Sequence, residues 1–326
     1  MLDMDTLDIP PSSSDSFLWT DFAELRALVH PDQCFCQADL DGVANRRRGM
    51  HEEFNDSEES DIALHKTRKR GFNVEQRWKE IANFVSRRQL DFDDSYPFRL
   101  SDDKDTIELK QENLQSQQLA YLGLLIASSL RLINDDRWKE ITRTFEQFSC
   151  AVFSRLMPSG SEIRSTWAQG GLKAPYQGNL YQKMLKIAED IRCKPNVEKP
   201  DYKDRDRGDG GIDIIAWHPM ADTRAGIPIA FAQCGCSATD WKSKQSEPSW
   251  DRHQRKLPVM HPWANYYFMP LDLRRPEDGD WAYKNVIGNV IIVDRLRLLR
   301  LASQYKIHDQ LPAMPFIDEV RAFRYS

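Results

Sequence analysis

The residues best suited to chemistry lie between positions 208 and 244, beginning G-D-G-G-I-D and ending Q-C-G-C-S-A-T-D-W-K-S-K. Asp213 sits within an apolar β-type run over residues 212–217, and a second such run over 227–234 carries Gln233 and Cys234 at its end. Lys242 and Lys244 follow Trp241. A carboxylate in a half-buried strand is unfavourable unless it is paired or holds a cation. A hard divalent cation takes carboxylate, amide and carbonyl oxygens, so Asp213, the Gln233 side chain and the Cys234 carbonyl form a candidate shell for Mg²⁺ or Mn²⁺. A lysine beside that ion orients the attacking water or stabilises developing charge. This is the equipment of metal-dependent phosphodiester hydrolysis.

Each residue also has a plainer role. Asp213 can be a hydrogen-bonded aspartate of a hairpin, Gln233 an ordinary strand-end residue, and the lysines solvated surface charges. Asp209, four residues before Asp213, is a second ligand or a solvated loop residue. Gly208, Gly210 and Gly211 either admit a ligand close to the backbone or simply make the turn. The Cys34-x-Cys36 and Cys234-x-Cys236 pairs lack zinc-knuckle spacing and a nearby histidine. No P-loop, G-x-S-x-G, H-E-x-x-H or dinucleotide fingerprint is present.

The elements that must position these residues read as a mixed α/β core. A helix is expected from Gly178, with Leu180, Tyr181, Met184, Leu185, Ala188 and Ile191 on its apolar stripe. The hairpin follows, with further strands over 263–270 and 286–293 and a last helix capped by Asp294. Residues 158–175 are rich in Gly, Ser and Pro and read as a connection. Before it, residues 17–157 read as mainly helical. One short helix is expected within 17–45, and an Asn73/Gln76 capping signal precedes an amphipathic helix carrying Trp78, Ile81, Ala82 and Val85. A short extended piece falls within 98–109, and a buried helix covers 118–133. A stripe of Trp138, Ile141, Phe145, Phe148 and Val152 marks the helix after it. Residues 1–16 read as a flexible lead-in. Residues 46–71 alternate basic and acidic blocks, as a solvated segment or a phosphate-contacting arm would.

The 326 residues suffice for two modest domains or one large one. A net charge of −5 means that any nucleic-acid surface must be a local patch. The acidic start lacks the basic region of a secretory signal, and residues 119–133 are too short an apolar run to span a bilayer. Six scattered cysteines fit a reducing, cytoplasmic setting.

Together these residues resemble the Mrr-like branch of the restriction-endonuclease-like PD-(D/E)xK nuclease superfamily. The family's G-x-x-F-E-x-L helix is matched by the run from Gly178 to Leu185. Its G-D-G-G-I-D strand is matched by residues 208–213, and its E/Q-x-K strand by Gln233-Cys234-Gly235. The resemblance implies an α/β fold with a mixed β-sheet core flanked by helices over residues 176–326, preceded by the helical region. It implies Mg²⁺- or Mn²⁺-dependent hydrolysis of DNA in restriction or anti-phage defence, alongside partners such as an ATPase or helicase and away from membranes. By position, Asp213 becomes the metal-bridging carboxylate, Gln233 the second-strand ligand and Cys234 a carbonyl ligand. The chain departs from the pattern at Gln182, where a glutamate is usual, and at Gly235, where the catalytic lysine belongs; Lys242 or Lys244 is the candidate replacement. The alternative is a nuclease fold that has lost catalysis and serves as a nucleic-acid-binding or assembly subunit.

Overall fold

The protein was analysed as a computed structural model, which describes residues 4–43, 73–110, 113–167, 173–203, 205 and 208–323. The charge-dense segment 46–71, read above as a solvated stretch or phosphate-contacting arm, lies outside the described residues. The chain forms two compact units. One comprises Met1–Ile141, Asp272–Ala282 and Met314–Ser326; the other comprises Thr142–Leu271 and Tyr283–Ala313. No helix among the described residues is long and apolar enough to cross a membrane.

In the first unit, α1 (Ser16–Val29) stops where Pro31 follows. His30 is extended (φ −64°, ψ 141°), as the residue before a proline prefers. The chain then enters β1 (Cys34–Cys36) rather than continuing the single helix expected within 17–45. Asn73 caps α2 (Val74–Phe92) by accepting from the Gln76 N–H at 3.0 Å. The Gln76 side chain does not complete a capping box, because it donates to Glu80. Strands β2 (Phe98–Leu100) and β3 (Thr106–Leu109) fall in the extended piece expected within 98–109 and, with β1, which the sequence did not show, form an antiparallel sheet of order β1-β3-β2. Strands of three and four residues are too short to show alternation in a sequence. The unit is completed by α3 (Ser116–Ser128) and by the C-terminal helix Phe316–Ala322. Residues 4–16 are not a loose lead-in. Met4, just before the short 3₁₀ turn Asp5–Asp8, and Leu7, within it, are buried.

Arg88 of α2 organises this unit. It is fully buried, and its three guanidinium nitrogens meet Asp21 (2.7 Å), Glu24 (2.8 Å) and Asp272 (3.0 Å). Tyr121 and Ser128 donate to the same carboxylates, at 2.7 Å to Glu24 and 2.9 Å to Asp21, and Arg274 brackets Asp272. Burial works against the guanidinium charge, but Glu24, Tyr121, Asp21 and Asp272 outweigh it and fix Arg88 as a cation.

The second unit holds α4 (Trp138–Leu156), β4 (Glu162–Ser165), α5 (Leu180–Asp190), β5 (Ile214–Trp217) and β6 (Ile229–Cys234). The short helices α6 (Trp241–Lys244) and α7 (Trp250–His253), then β7 (Ala264–Phe268), β8 (Ile291–Val293) and α8 (Arg295–Gln304), follow. Its sheet has the order β4-β5-β6-β7-β8. β5 runs antiparallel to both of its neighbours, β4 and β6, and β6, β7 and β8 run parallel. This is the expected mixed α/β sheet with one strand more than the sequence shows. β4 lies in the segment 158–175 that reads as a connection, so the sheet-bearing unit begins well before residue 176, at Thr142. Conversely, the apolar run 286–293 contributes only its last three residues to β8, because Gly288 and Asn289 interrupt it with turn chemistry. Asp294 caps α8 as expected, accepting from the Arg297 N–H at 3.1 Å. One sheet face carries Ile215, Trp217, Ile229 and Phe231 against Met184, Ile187 and Ala188 of α5.

The Arg88 network yields a first prediction. Arg88→Met takes the shared cation from the buried carboxylates of Asp21 and Glu24, leaving Asp272 with Arg274, and lowers stability by about 3–5 kcal/mol, measurable as a drop in the urea unfolding midpoint.

Candidate active site

The G-D-G-G turn is built for close approach. Gly210 and Gly211 have φ of +74° and +80°, which side chains disfavour. A Cβ on Gly211 would also lie 2.4 Å from the Glu247 Cβ. Asp209 accepts from the Gly211 N–H at 2.9 Å, and Lys183 of α5 donates to the Gly208 carbonyl at 3.0 Å. The turn therefore delivers Asp213 to the start of β5 in one fixed geometry.

Asp213 is pinned by backbone on both sides. Its N–H bonds the Ala232 carbonyl (2.9 Å), and its carbonyl accepts from the Thr166 N–H (2.8 Å). The ladder already pairs Ile214 with Ala232, so residues 213 and 214 share one partner in the manner of a β-bulge. The bulge re-aims the side chain. Asp213 Oδ2 accepts from the Cys234 N–H at 2.7 Å, one residue beyond Gln233. Only 7% of Asp213 is exposed. Burial, then the Asp209 carboxylate, raise its pKa well above the ordinary aspartate value; the Cys234 N–H works the other way, and Glu146 adds to the rise.

Glu146 is the residue that the sequence reading missed. It lies on α4, and burial raises its own pKa, with Arg143 opposing at 2.9 Å and Asp209 reinforcing. Three carboxylates, Asp213, Asp209 and Glu146, thus share one electrostatic neighbourhood. The sequence signal was an acid placed between Phe145 and Phe148, both of which are buried on α4. The helix glutamate expected at position 182 has no counterpart there. Gln182 is instead the third residue of an Asn179 capping box, its Oε1 accepting from the Asn179 N–H at 3.0 Å.

Gln233 pairs with Tyr267 across the parallel β6–β7 ladder. Paired strand residues project to the same side of a sheet. Gln233 is 8% exposed and Tyr267 fully buried, yet Gln233 Oε1 and Tyr267 Oη have no hydrogen-bond partner among the described residues. Buried polar atoms are normally satisfied, so two such oxygens on one pair mark a place where a ligand or water is expected.

The lysines separate. Lys242 is exposed, with its ammonium 4.4 Å from the centre of the Tyr283 ring. Lys244 is half-buried, and its charge is felt at the Cys236 thiol. The segment after them is anchored by Gln245, which donates to the Val286 carbonyl (2.9 Å) and accepts from the Gly288 N–H (3.2 Å). Cys234 is not a thiolate, because burial and then Asp213 push its pKa well up. No group of three or more His, Cys, Asp or Glu able to hold a metal stands ready among the described residues. The oxygens present suit a hard cation held partly by water or substrate rather than a closed protein cage.

His253 lies beneath the glycine turn, its Nε2 2.8 Å from the Glu247 carbonyl oxygen. Burial lowers its pKa to about 4. Protein-family models, curated proteins and solved structures were compared with this chain, and none matches.

His253 sets a pH dependence. An unfolded chain protonates this histidine near pH 6.5, whereas the folded protein resists until about pH 4. Stability is therefore retained above pH 6.5 and falls as pH drops through that window, by roughly 3 kcal/mol at most. Denaturant titrations of His253→Gln at pH 7 and pH 4.5 should show this slope flattened relative to the parent.

Proposed function

We propose that this protein is a divalent-cation-dependent nuclease that hydrolyses phosphodiester bonds in DNA, with Asp213 as its central ligand. One observation carries the reading. A carboxylate is held nearly dry, beside two further carboxylates, at the end of a mixed sheet whose neighbouring strand presents an unpartnered amide oxygen. Such an arrangement is costly without a cation. The order of residues 208–213 and 233–235 is also that of the Mrr-like nucleases they resemble.

The residues fit the group. Asp213, Asp209 and the orphaned Gln233 Oε1 supply the hard oxygen donors that Mg²⁺ or Mn²⁺ prefers, with Glu146 and the Cys234 carbonyl completing the candidate set. When bound, the ion supplies Lewis acidity at the phosphoryl oxygen and a more acidic water. The chain's own contribution is positional. The Cys234 N–H fixes one Asp213 oxygen, the glycine turn lets backbone approach closely, and the burial around Asp213 keeps the local dielectric low. Lys244 is the candidate cation for the phosphate. A role in restriction or anti-phage defence, with an ATPase or helicase as partner, extends this reading from the resemblance.

A second reading rests on Gly235 and on the absence of a ready three-ligand group among the described residues. In it the fold binds nucleic acid or a partner subunit without cleaving.

Asp213→Asn separates the two. It keeps an acceptor for the Cys234 N–H but removes the charge. A buried carboxylate with a raised pKa lends its full stability only below the ordinary aspartate range and loses it as pH rises, so at pH 8 the neutral amide is the more stable occupant. The variant should gain about 1 kcal/mol without metal, seen as a higher Tm. It should also lose Mn²⁺-dependent cleavage of plasmid DNA by at least a hundredfold. Equal cleavage by variant and parent would remove Asp213 from the chemistry. Salt-sensitive DNA binding with no cleavage in Mg²⁺ or Mn²⁺ would select the second reading.

A further inference from the structure

Position 235 is where the resembling nucleases carry their lysine, and here it is glycine. The structure shows what fills the space. A Cβ added to Gly235 would lie 2.0 Å from Tyr267 Oη and 3.0 Å from its Cζ. No side chain can leave the backbone at 235 without displacing that phenol. Tyr267 has no room to yield, because it is fully buried in β7. Its hydroxyl thus lies over the backbone of the residue that would otherwise project there.

Three further observations make this hydroxyl more than a space-filler. Oη has no hydrogen-bond partner among the described residues, although a buried tyrosine hydroxyl usually finds one. Tyr267 pairs in the ladder with Gln233, whose Oε1 is also unpartnered. Gly235, against which Oη stands, follows Cys234, whose N–H bonds Asp213 Oδ2 at 2.7 Å, and the charges of Cys236, Cys234, Asp213 and Glu247 act on the phenol. Burial and these acidic neighbours raise its pKa, so it remains a neutral donor.

We propose that Tyr267 is a further catalytic residue of the proposed nuclease, its hydroxyl donating to the attacking water from where it stands over the Gly235 backbone. The proposal rests on the reading of Asp213 as the cation ligand. Tyr267 keeps its proton throughout and acts as a fixed donor. Its hydrogen bond stabilises charge that develops in the transition state, which is the way a preorganised donor accelerates phosphoryl transfer. Gly235 and Tyr267 are then one device: the glycine exists so that the phenol can stand over it.

The test compares the full chain with Tyr267→Phe, Asp213→Asn and the double variant Tyr267→Ala/Gly235→Lys. The assays are plasmid cleavage in Mn²⁺ and the Mn²⁺-induced change in Tm. Tyr267→Phe keeps the ring, so its Tm and its Mn²⁺-induced shift should match the parent, while kcat falls at least tenfold with KM for DNA within about threefold. The double variant, in which a lysine has room to project from 235, should recover activity over Tyr267→Phe. Cleavage by Tyr267→Phe within twofold of the parent, with Asp213→Asn inactive, overturns the role of Tyr267 and leaves the Asp213 site standing. A lowered Tm with unchanged kcat per folded molecule overturns it as well, by showing a packing role alone. A parent that shows neither Mn²⁺-dependent cleavage nor an Mn²⁺-induced shift overturns the cation site and, with it, the role of Tyr267.

Discussion

A carboxylate that water scarcely reaches is the constraint on which the sheet-bearing unit depends. Asp213 is held there by backbone, not by a counter-charge. Its own N–H and carbonyl are engaged by Ala232 and Thr166, and one side-chain oxygen takes the Cys234 N–H. These bonds fix where the group points but do not neutralise it, and Asp209 and Glu146 add further negative charge. The glycine turn, the bulge at the start of β5 and the end of β6 all serve that placement. Folding has accepted a locally unfavourable site, and such sites persist where the surrounding structure over-determines them.

The other unit shows how the same chain treats buried charge when only stability is involved. Around Arg88, each nitrogen of one cation faces a carboxylate, and Tyr121, Ser128 and Arg274 satisfy remaining oxygens. The charges there answer one another. Around Asp213 they do not, and two neutral oxygens nearby, on Gln233 and Tyr267, have no partner among the described residues. Under the proposed function, a group from outside completes the second arrangement.

Much of this architecture was legible in the sequence, for physical reasons that also explain the gaps. Helices with long apolar stripes, α2 and α4, and the apolar strands β5, β6 and β7 declare themselves through periodicity. The Asn73 and Asp294 caps follow from side-chain chemistry local to a few residues. What escaped is non-local or very short. β1 and β4 are only three or four residues long and owe their state to partners far along the chain, and the extended piece at 98–109 is in fact two strands, β2 and β3. Glu146 lies sixty-odd residues before Asp213, and only the packing of α4 reveals that the two interact. The bulge could not be read either, because it consists of one hydrogen bond out of step with its ladder. Lys242 and Lys244 looked equivalent in sequence, but Lys242 lies exposed over the Tyr283 ring whereas Lys244 is half-buried.

The charge balance of the site constrains its occupant whatever reaction it serves. Asp213, Asp209 and Glu146 are opposed by Arg143, so a polyanion meets net repulsion in a region of low dielectric. A small cation meets the opposite field and relieves the desolvated carboxylate at once. The order of assembly under the proposed function is therefore cation first, phosphate second. In that order a neutral donor has an advantage over an ammonium beside the carboxylates. A lysine at 235 would compete with the divalent ion for Asp213, whereas the Tyr267 hydroxyl adds a hydrogen bond and no charge. Under the proposed function, a phenol rather than an ammonium at this point suits a site that recruits its cation with few protein ligands.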